Sequence, residues 1–244
     1  MSFVVIQLTW RARIGALLVA PDTTPEIEFI KMVPKGVSVH FTRMRFEGAV
    51  NVETLSRLAN EAESAARLLA ELKPDVIAFC CTSGSFVKGV GYDKEIIDKI
   101  ERATGTRATT TTTAVVNALK TLKVEKLSIA TPYIDEVNVA CKKFFEGLGF
   151  EVLDIKGLGI RDDLEIGKQS SETIYRLAKS VDKQDADCIF ISCTNLNTID
   201  IIQPLEYDLC KPVITSNQAT MWECLKMAGV KEPLENLGAL FKCF

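Results

Sequence analysis

The sequence predicts an α/β protein built of two related lobes, each a parallel sheet with crossover helices. Three observations predict it. Short apolar runs alternate with helical patterns, the alternation restarts midway, and one strand-end motif occurs twice. Residues 75–83, DVIAFCCTS, align without a gap with residues 187–195, DCIFISCTN, at an offset of 112 residues. The offset pairs Asp75 with Asp187, Ile77 with Ile189, Cys81 with Cys193 and Thr82 with Thr194. GALLVAP loosely matches SIATPY and ATTTTTA loosely matches VITSNQA, in the same order along the chain. The expected lobes are residues 1–123 with 217–244, and residues 124–216.

Element by element, RIGALLVAP (13–21) reads as a buried strand entering a proline loop, and VSVHFTRM (37–44) as a second strand. ETLSRLANEAESAARLLAEL (53–72) reads as one helix capped by Asn51. Its Leu55, Leu58, Ala62, Ala65, Ala66 and Leu69 share a side. DVIAFCC (75–81) is the next strand and YDKEIIDKIERATG (92–105) a helix stopped by Gly105. ATTTTTAVVNALKTL (108–122) begins as a β segment and turns helical near Ala114. In the second half KLSIATPYID (126–135), EVLDIKGLGI (151–160) and DCIFISC (187–193) read as strands. EVNVACKKFFEGLGF (136–150) and SETIYRLAKSVDK (171–183) read as helices. LNTIDIIQPLEYDLC is partly helical, and PVITSNQATMWECLKMAG (212–229) is strand, loop and helix.

With 244 residues the chain can bury a sizeable core. A net charge of −3 without a basic block argues against a nucleic-acid partner. The apolar run in MSFVVIQLTWRARIG is too short for a signal peptide, and its arginines follow the run rather than precede it. No apolar segment approaches the roughly 18 residues of a membrane span, so a cytoplasmic protein is expected. Among eight cysteines there is no CxxC pair, and His40 is the single histidine, so a metal site has poor support. Cys80, Cys141, Cys188 and Cys224 read as buried small hydrophobes, Cys243 as an inert residue beside the terminus, and His40 as a structural strand residue.

The repeated motif carries the chemistry. Ligands of open α/β sheets bind outside the carboxyl ends of the strands, where Cys81 and Cys193 both fall. Adjacent strand residues point to opposite faces, so Cys80 and Cys81 diverge; only Cys81 has a counterpart, because position 192 is serine. Two facing lobes would thus set two thiols across one cleft. Thr82, Ser83, Gly84 and Ser85 are small residues whose hydroxyls and amides suit an anion, and Thr194 and Asn195 repeat them. A helix starting there would favour a carboxylate and lower a thiol pKa. Glycines 84, 89 and 91 would permit loop motion. Thiols on both sides of a planar carbon suit two-base racemisation. They equally suit thiolate addition, bond rotation and elimination, which is cis–trans isomerisation.

CTSGSF, ATPYIDEVN, GLGIRDDLEIG and SCTNLNTID together resemble the aspartate/glutamate racemase superfamily, over nearly the whole chain. Within it the chain is most similar to the branch of maleate cis–trans isomerases and arylmalonate decarboxylases. The resemblance implies Rossmann-like lobes related by pseudo-twofold symmetry, an active site between them, and neither cofactor nor metal. It implies Cys81 as the nucleophile and Cys193 as the proton donor. Tyr133 would bond a substrate carboxylate, with Thr82, Ser83, Thr194 and Asn195 on two carboxylate-binding loops. Arylmalonate decarboxylases carry glycine where this chain has Cys81, which points to isomerisation or racemisation rather than decarboxylation. A homodimer or higher assembly is also implied. Two positions depart from the branch: Asp22 and Asp163 stand where maleate isomerases tend to have asparagine. An amide donates to a carboxylate, whereas an ionised Asp repels it. These two residues therefore suit an ammonium or N–H group, or one of them is protonated. The expectation is a two-cysteine isomerase of a small carboxylate, most like maleate isomerase. The alternatives are an amino-acid or hydantoin racemase, an arylmalonate-type decarboxylase and a non-catalytic binding protein.

Overall fold

The computed structural model describes residues 10–244, so most of the N-terminal apolar run lies outside the described residues. The first half contains β1 (Ala12–Val19), α1 (Pro25–Met32), β2 (Val37–Met44), α2 (Val52–Leu58), α3 (Ala62–Ala70), β3 (Val76–Cys80), α4 (Thr82–Phe86), α5 (Tyr92–Thr104), β4 (Ala108–Thr110) and α6 (Thr111–Thr121). The second contains β5 (Lys126–Thr131), α7 (Asp135–Gly147), β6 (Glu151–Gly157), α8 (Asp163–Gly167), α9 (Ser171–Val181), β7 (Cys188–Ile191), α10 (Ile202–Leu209), β8 (Val213–Thr215) and α11 (Ser216–Met227). They form two four-stranded parallel sheets of one topology, ordered β2-β1-β3-β4 and β6-β5-β7-β8. β3 and β7 are inner strands and are buried along their whole length, as continuous apolar runs between two helical layers should be.

The duplication is visible in matching hydrogen bonds. Asp75 accepts from the Arg13 amide at 2.8 Å, and Asp187 accepts from the Lys126 amide at 2.8 Å. Each aspartate thereby fixes the start of β3 or β7 against the neighbouring strand. Thr110 caps α6 by accepting from the Thr113 amide, and Thr215 caps α11 by accepting from the Gln218 amide. ATTTTTA and VITSNQA are thus the same strand-cap-helix device. α6 and α11 pack on each other; α6 also meets β8, and α11 meets β3, so these two helices join the halves.

Several elements differ from the sequence expectation. Residues 53–72 form two helices, because the amides of Asn60 and Glu61 close tight turns to Arg57 and Leu58 rather than continuing the α-helix. The threonine run turns helical at Thr111, not at Ala114, because Thr110 caps it. Helices α1 and α8 were not expected at all. Among the described residues no helix is long and apolar enough to cross a membrane. All eight cysteines are unpaired; Cys80, Cys141, Cys188 and Cys224 are buried and Cys210 is exposed. His40 lies in β2 against Ser38, with β1 between that strand and β3.

Candidate active site

β3 ends at Cys80, and Cys81 follows as the N-cap of α4. Its Sγ accepts the Gly84 amide at 3.3 Å, with the Ser83 hydroxyl at 3.9 Å. Glycine is required at 84: a Cβ there would sit 2.9 Å from that sulfur. Thr82 and Ser83 open the helix, so their amides have no intrahelical acceptor. In the second half Cys193 follows β7, and its Sγ accepts the Asn195 amide at 3.4 Å. Its φ is +145°, a region that favours glycine and that costs other residues about 1–3 kcal/mol. The strain is held by Ser216, whose Oγ accepts the Cys193 amide at 3.0 Å and the Thr82 hydroxyl at 2.8 Å. One serine on α11 thus ties the residue after Cys81 to the backbone of Cys193. Both thiols are buried, and Cys193 lies close enough to Cys81 to feel its charge.

Asp22 follows β1 and is 2% exposed. It caps no helix; its Oδ2 accepts the Thr194 hydroxyl at 3.1 Å. Asp163, half-buried at the start of α8, meets the Asp22 carboxyl and accepts from Asn195 Nδ2 at 3.3 Å. Asn195 also accepts the amides of Thr23 and Thr24, at 2.9 and 3.2 Å, and so links the loops after β1 and β7 to α8. Tyr133 is fully buried beside Cys193, its ring edge-on to Phe86 and its hydroxyl 3.4 Å from the Ser192 hydroxyl. The structure therefore brings Asp22, Cys81, Thr82, Ser83, Tyr133, Asp163, Cys193, Thr194 and Asn195 into one buried cluster. The side chains of Thr82, Thr194 and Asn195 are already engaged with neighbours in it. Among the described residues no three His, Cys, Asp or Glu side chains converge as a metal site would require.

The expected lowering of the thiol pKa is contradicted. Burial pushes Cys81 up to about 12, with the Asp22 charge adding to the rise and the Gly84 amide opposing it. Burial, then Asp163 and Asp22, push Cys193 well up as well. A five-residue helix start cannot outweigh desolvation plus two nearby acids. Asp22 is itself raised strongly, first by burial and then by Asp163; Asp163 is raised by burial. Two carboxyls in contact cannot both ionise cheaply, which favours a proton shared between them.

Sequence reading missed Ser216, although it lies in the aligned VITSNQA at the place of Thr111. It also missed Glu28. This buried carboxylate on α1 accepts from the amides of Thr198 and Ile199 and from Asn217 Nδ2, pinning the segment that follows Asn195. No signal in the sequence linked Glu28 to a partner about 170 residues away.

Two matched parallel sheets, each with a cysteine beyond its third strand in sequence, define a member of the aspartate/glutamate racemase-like superfamily. The chain belongs to the arylmalonate decarboxylase family, whose sequence profile matches residues 33–241. It is 30% identical to arylmalonate decarboxylase of Bordetella bronchiseptica over 75% of this chain and 77% of that one. It is 26% identical to maleate isomerase of Pseudomonas putida over 96% of this chain and 98% of that one. It superposes with a TM-score of 0.90, at 22% identity, on the maleate cis–trans isomerase of Nocardia farcinica, covering 94% of this chain and 98% of that one. That structure is of a cysteine-to-serine mutant with a covalently bound succinylcysteine intermediate.

Proposed function

We propose that this chain is a cofactor-independent, two-cysteine isomerase of a small carboxylate, most like maleate cis–trans isomerase, which interconverts maleate and fumarate. The observation that carries the reading is the pair Cys81 and Cys193 at equivalent strand ends, coupled through Thr82 and Ser216. In the proposed cycle the Cys81 thiolate adds to one alkene carbon while Cys193 gives its proton to the other. The C=C bond becomes single and rotates. Cys193 then takes the proton back, the C–S bond breaks, and the trans alkene leaves with both sulfurs restored. Burial is the chief cause that keeps Cys81 protonated. The thiolate therefore forms when the lobes part and water reaches the sulfur, and the bonds from Gly84 and Ser83 favour it. Ser83 and Tyr133, with the backbones of Thr82, Thr194 and Asn195, are the proposed carboxylate contacts; Asp22 and Asp163 complete the pocket. The lobe division at 1–123 with 217–244 and 124–216 belongs to the proposal and is supported by the packing of α11 on α6. So do a cytoplasmic location, supported by eight unpaired cysteines, and a homo-oligomeric state.

Decarboxylation of an arylmalonate is the second reading, favoured by the 30% identity to the Bordetella bronchiseptica enzyme. Proton NMR in D₂O separates the readings on a panel of maleate-type alkenes, amino acids, hydantoins and substituted malonates. Cis-to-trans conversion supports the proposal. Deuterium at Cα without isomerisation indicates a racemase, and loss of a carboxylate indicates a decarboxylase.

A further inference from the structure

The substrate end of the site that holds Asp22 and Asp163 has unusual chemistry. Asp22 accepts from Thr194, Asp163 accepts from Asn195, and the two carboxyls meet each other. Among the described residues neither carboxylate forms an ion pair. The cation that acts on Asp22 is Arg43 of β2. Its guanidinium is spent on the carbonyls of Ala20 and Asp22, at 2.8 Å each, and on Glu26 at 2.9 Å. The remaining charged neighbour is Asp162, another acid. Both acids bond to the two residues that follow Cys193, which places them beside that thiol, and their charges act on both thiols. Even with a proton shared between them, two carboxyls keep acceptor oxygens and net negative charge. A second substrate carboxylate at that end would meet repulsion with no cation to offset it.

We propose that Asp22 and Asp163 make this a site for a cis-alkene acid whose second end is a neutral N–H donor, the monoamide of maleic acid rather than maleate. This rests on the isomerase reading above. The amide NH₂ donates to the carboxyl pair, while the substrate's single carboxylate is left to the loop hydroxyls and amides beyond Cys81. A site built to accept N–H bonds rejects the analogue that lacks them, because its buried acceptors are left unpaired.

The test compares maleamate with maleate by proton NMR, on the wild-type chain and on the Asp22→Asn/Asp163→Asn variant. We expect the wild type to convert maleamate with at least ~10-fold higher kcat/KM, and the variant to reverse the preference. A wild type that prefers maleate, or an unchanged ratio in a folded variant, overturns the inference. Calorimetric binding of succinamate and succinate to the wild type reads the same recognition without an alkene. Tighter succinamate binding supports the inference even if no alkene is isomerised, an outcome in which the isomerase reading alone fails. Equal or tighter succinate binding overturns it.

Discussion

Ser216 holds Cys193 by its backbone. The Cys193 amide donates to Ser216 Oγ at 3.0 Å, at a residue whose φ of +145° needs such a tether. The same oxygen accepts the Thr82 hydroxyl, so the tether also fixes the Cys81 side of the site. We expect Ser216→Ala to lower kcat ~10–100-fold by misplacing one thiol, while costing about 1–3 kcal/mol of stability. Ser216→Thr keeps the oxygen and should restore most of the rate. Steady-state kinetics with thermal melts check this; a stability loss at unchanged kcat in Ser216→Ala would count against the tether.

The backbone of Cys193 makes a separable prediction. Glycine accommodates its φ and alanine does not. Cys193→Gly should be more stable than Cys193→Ala by about 1 kcal/mol, although glycine is normally the worse choice. Urea titration of the two variants decides, and alanine as the more stable would contradict the strain.

The acid pair links stability to pH. Asp22 in the unfolded chain titrates near ~3.9, whereas the folded carboxyl is raised by burial and by Asp163. Between those values the folded state holds a proton that the unfolded state has lost. Its contribution is complete below the unfolded pKa and is lost as pH rises through the folded one. Asp22→Asn removes this titration and keeps the size. Its stability relative to wild type should therefore rise with pH from about 4 upward. A difference independent of pH would show that Asp22 is not raised.

Thiol labelling should be ordered by exposure. Cys210 is exposed and should react first. With its pKa pushed up to about 12 by burial, Cys81 is almost wholly un-ionised at pH 8. Mass mapping after brief iodoacetamide treatment of the ligand-free protein should find Cys210 modified and Cys81 intact. Rapid labelling of Cys81 would mean that its burial is relieved most of the time.

The parts of the fold legible in the sequence were those written twice. The strand motif around Cys81 and Cys193 aligned because both copies need an apolar inner strand, an aspartate clip at its start and small residues at its end. The strand-cap-helix device repeated for the same reason. Helix α1 was illegible because its pattern is mixed: Phe29 and Met32 are buried together with Glu28, while Ile27 and Ile30 are about 60% exposed. Its apolar residues therefore fall on both faces and mark no single one. The Asp22–Asp163 contact joins loops far apart in sequence, and the residues alone showed only that an acid stood at each place. The thiol pKa was misjudged because the amides near each sulfur can be inferred locally, whereas the burial that outweighs them is a property of the assembled lobes.

The most direct test of two-thiol chemistry is intact-mass analysis with peptide mapping of Cys193→Ser, incubated with maleate or maleamate. In this variant water supplies the proton that completes the addition, and with no Cys193 thiolate to take a proton back the adduct should break down slowly. We expect one substrate equivalent bound covalently at Cys81, absent from the Cys81→Ser/Cys193→Ser variant, with turnover reduced ~10³-fold or more in either single serine variant. Retained turnover in Cys81→Ser, or an adduct confined to another cysteine, would contradict Cys81 as the nucleophile.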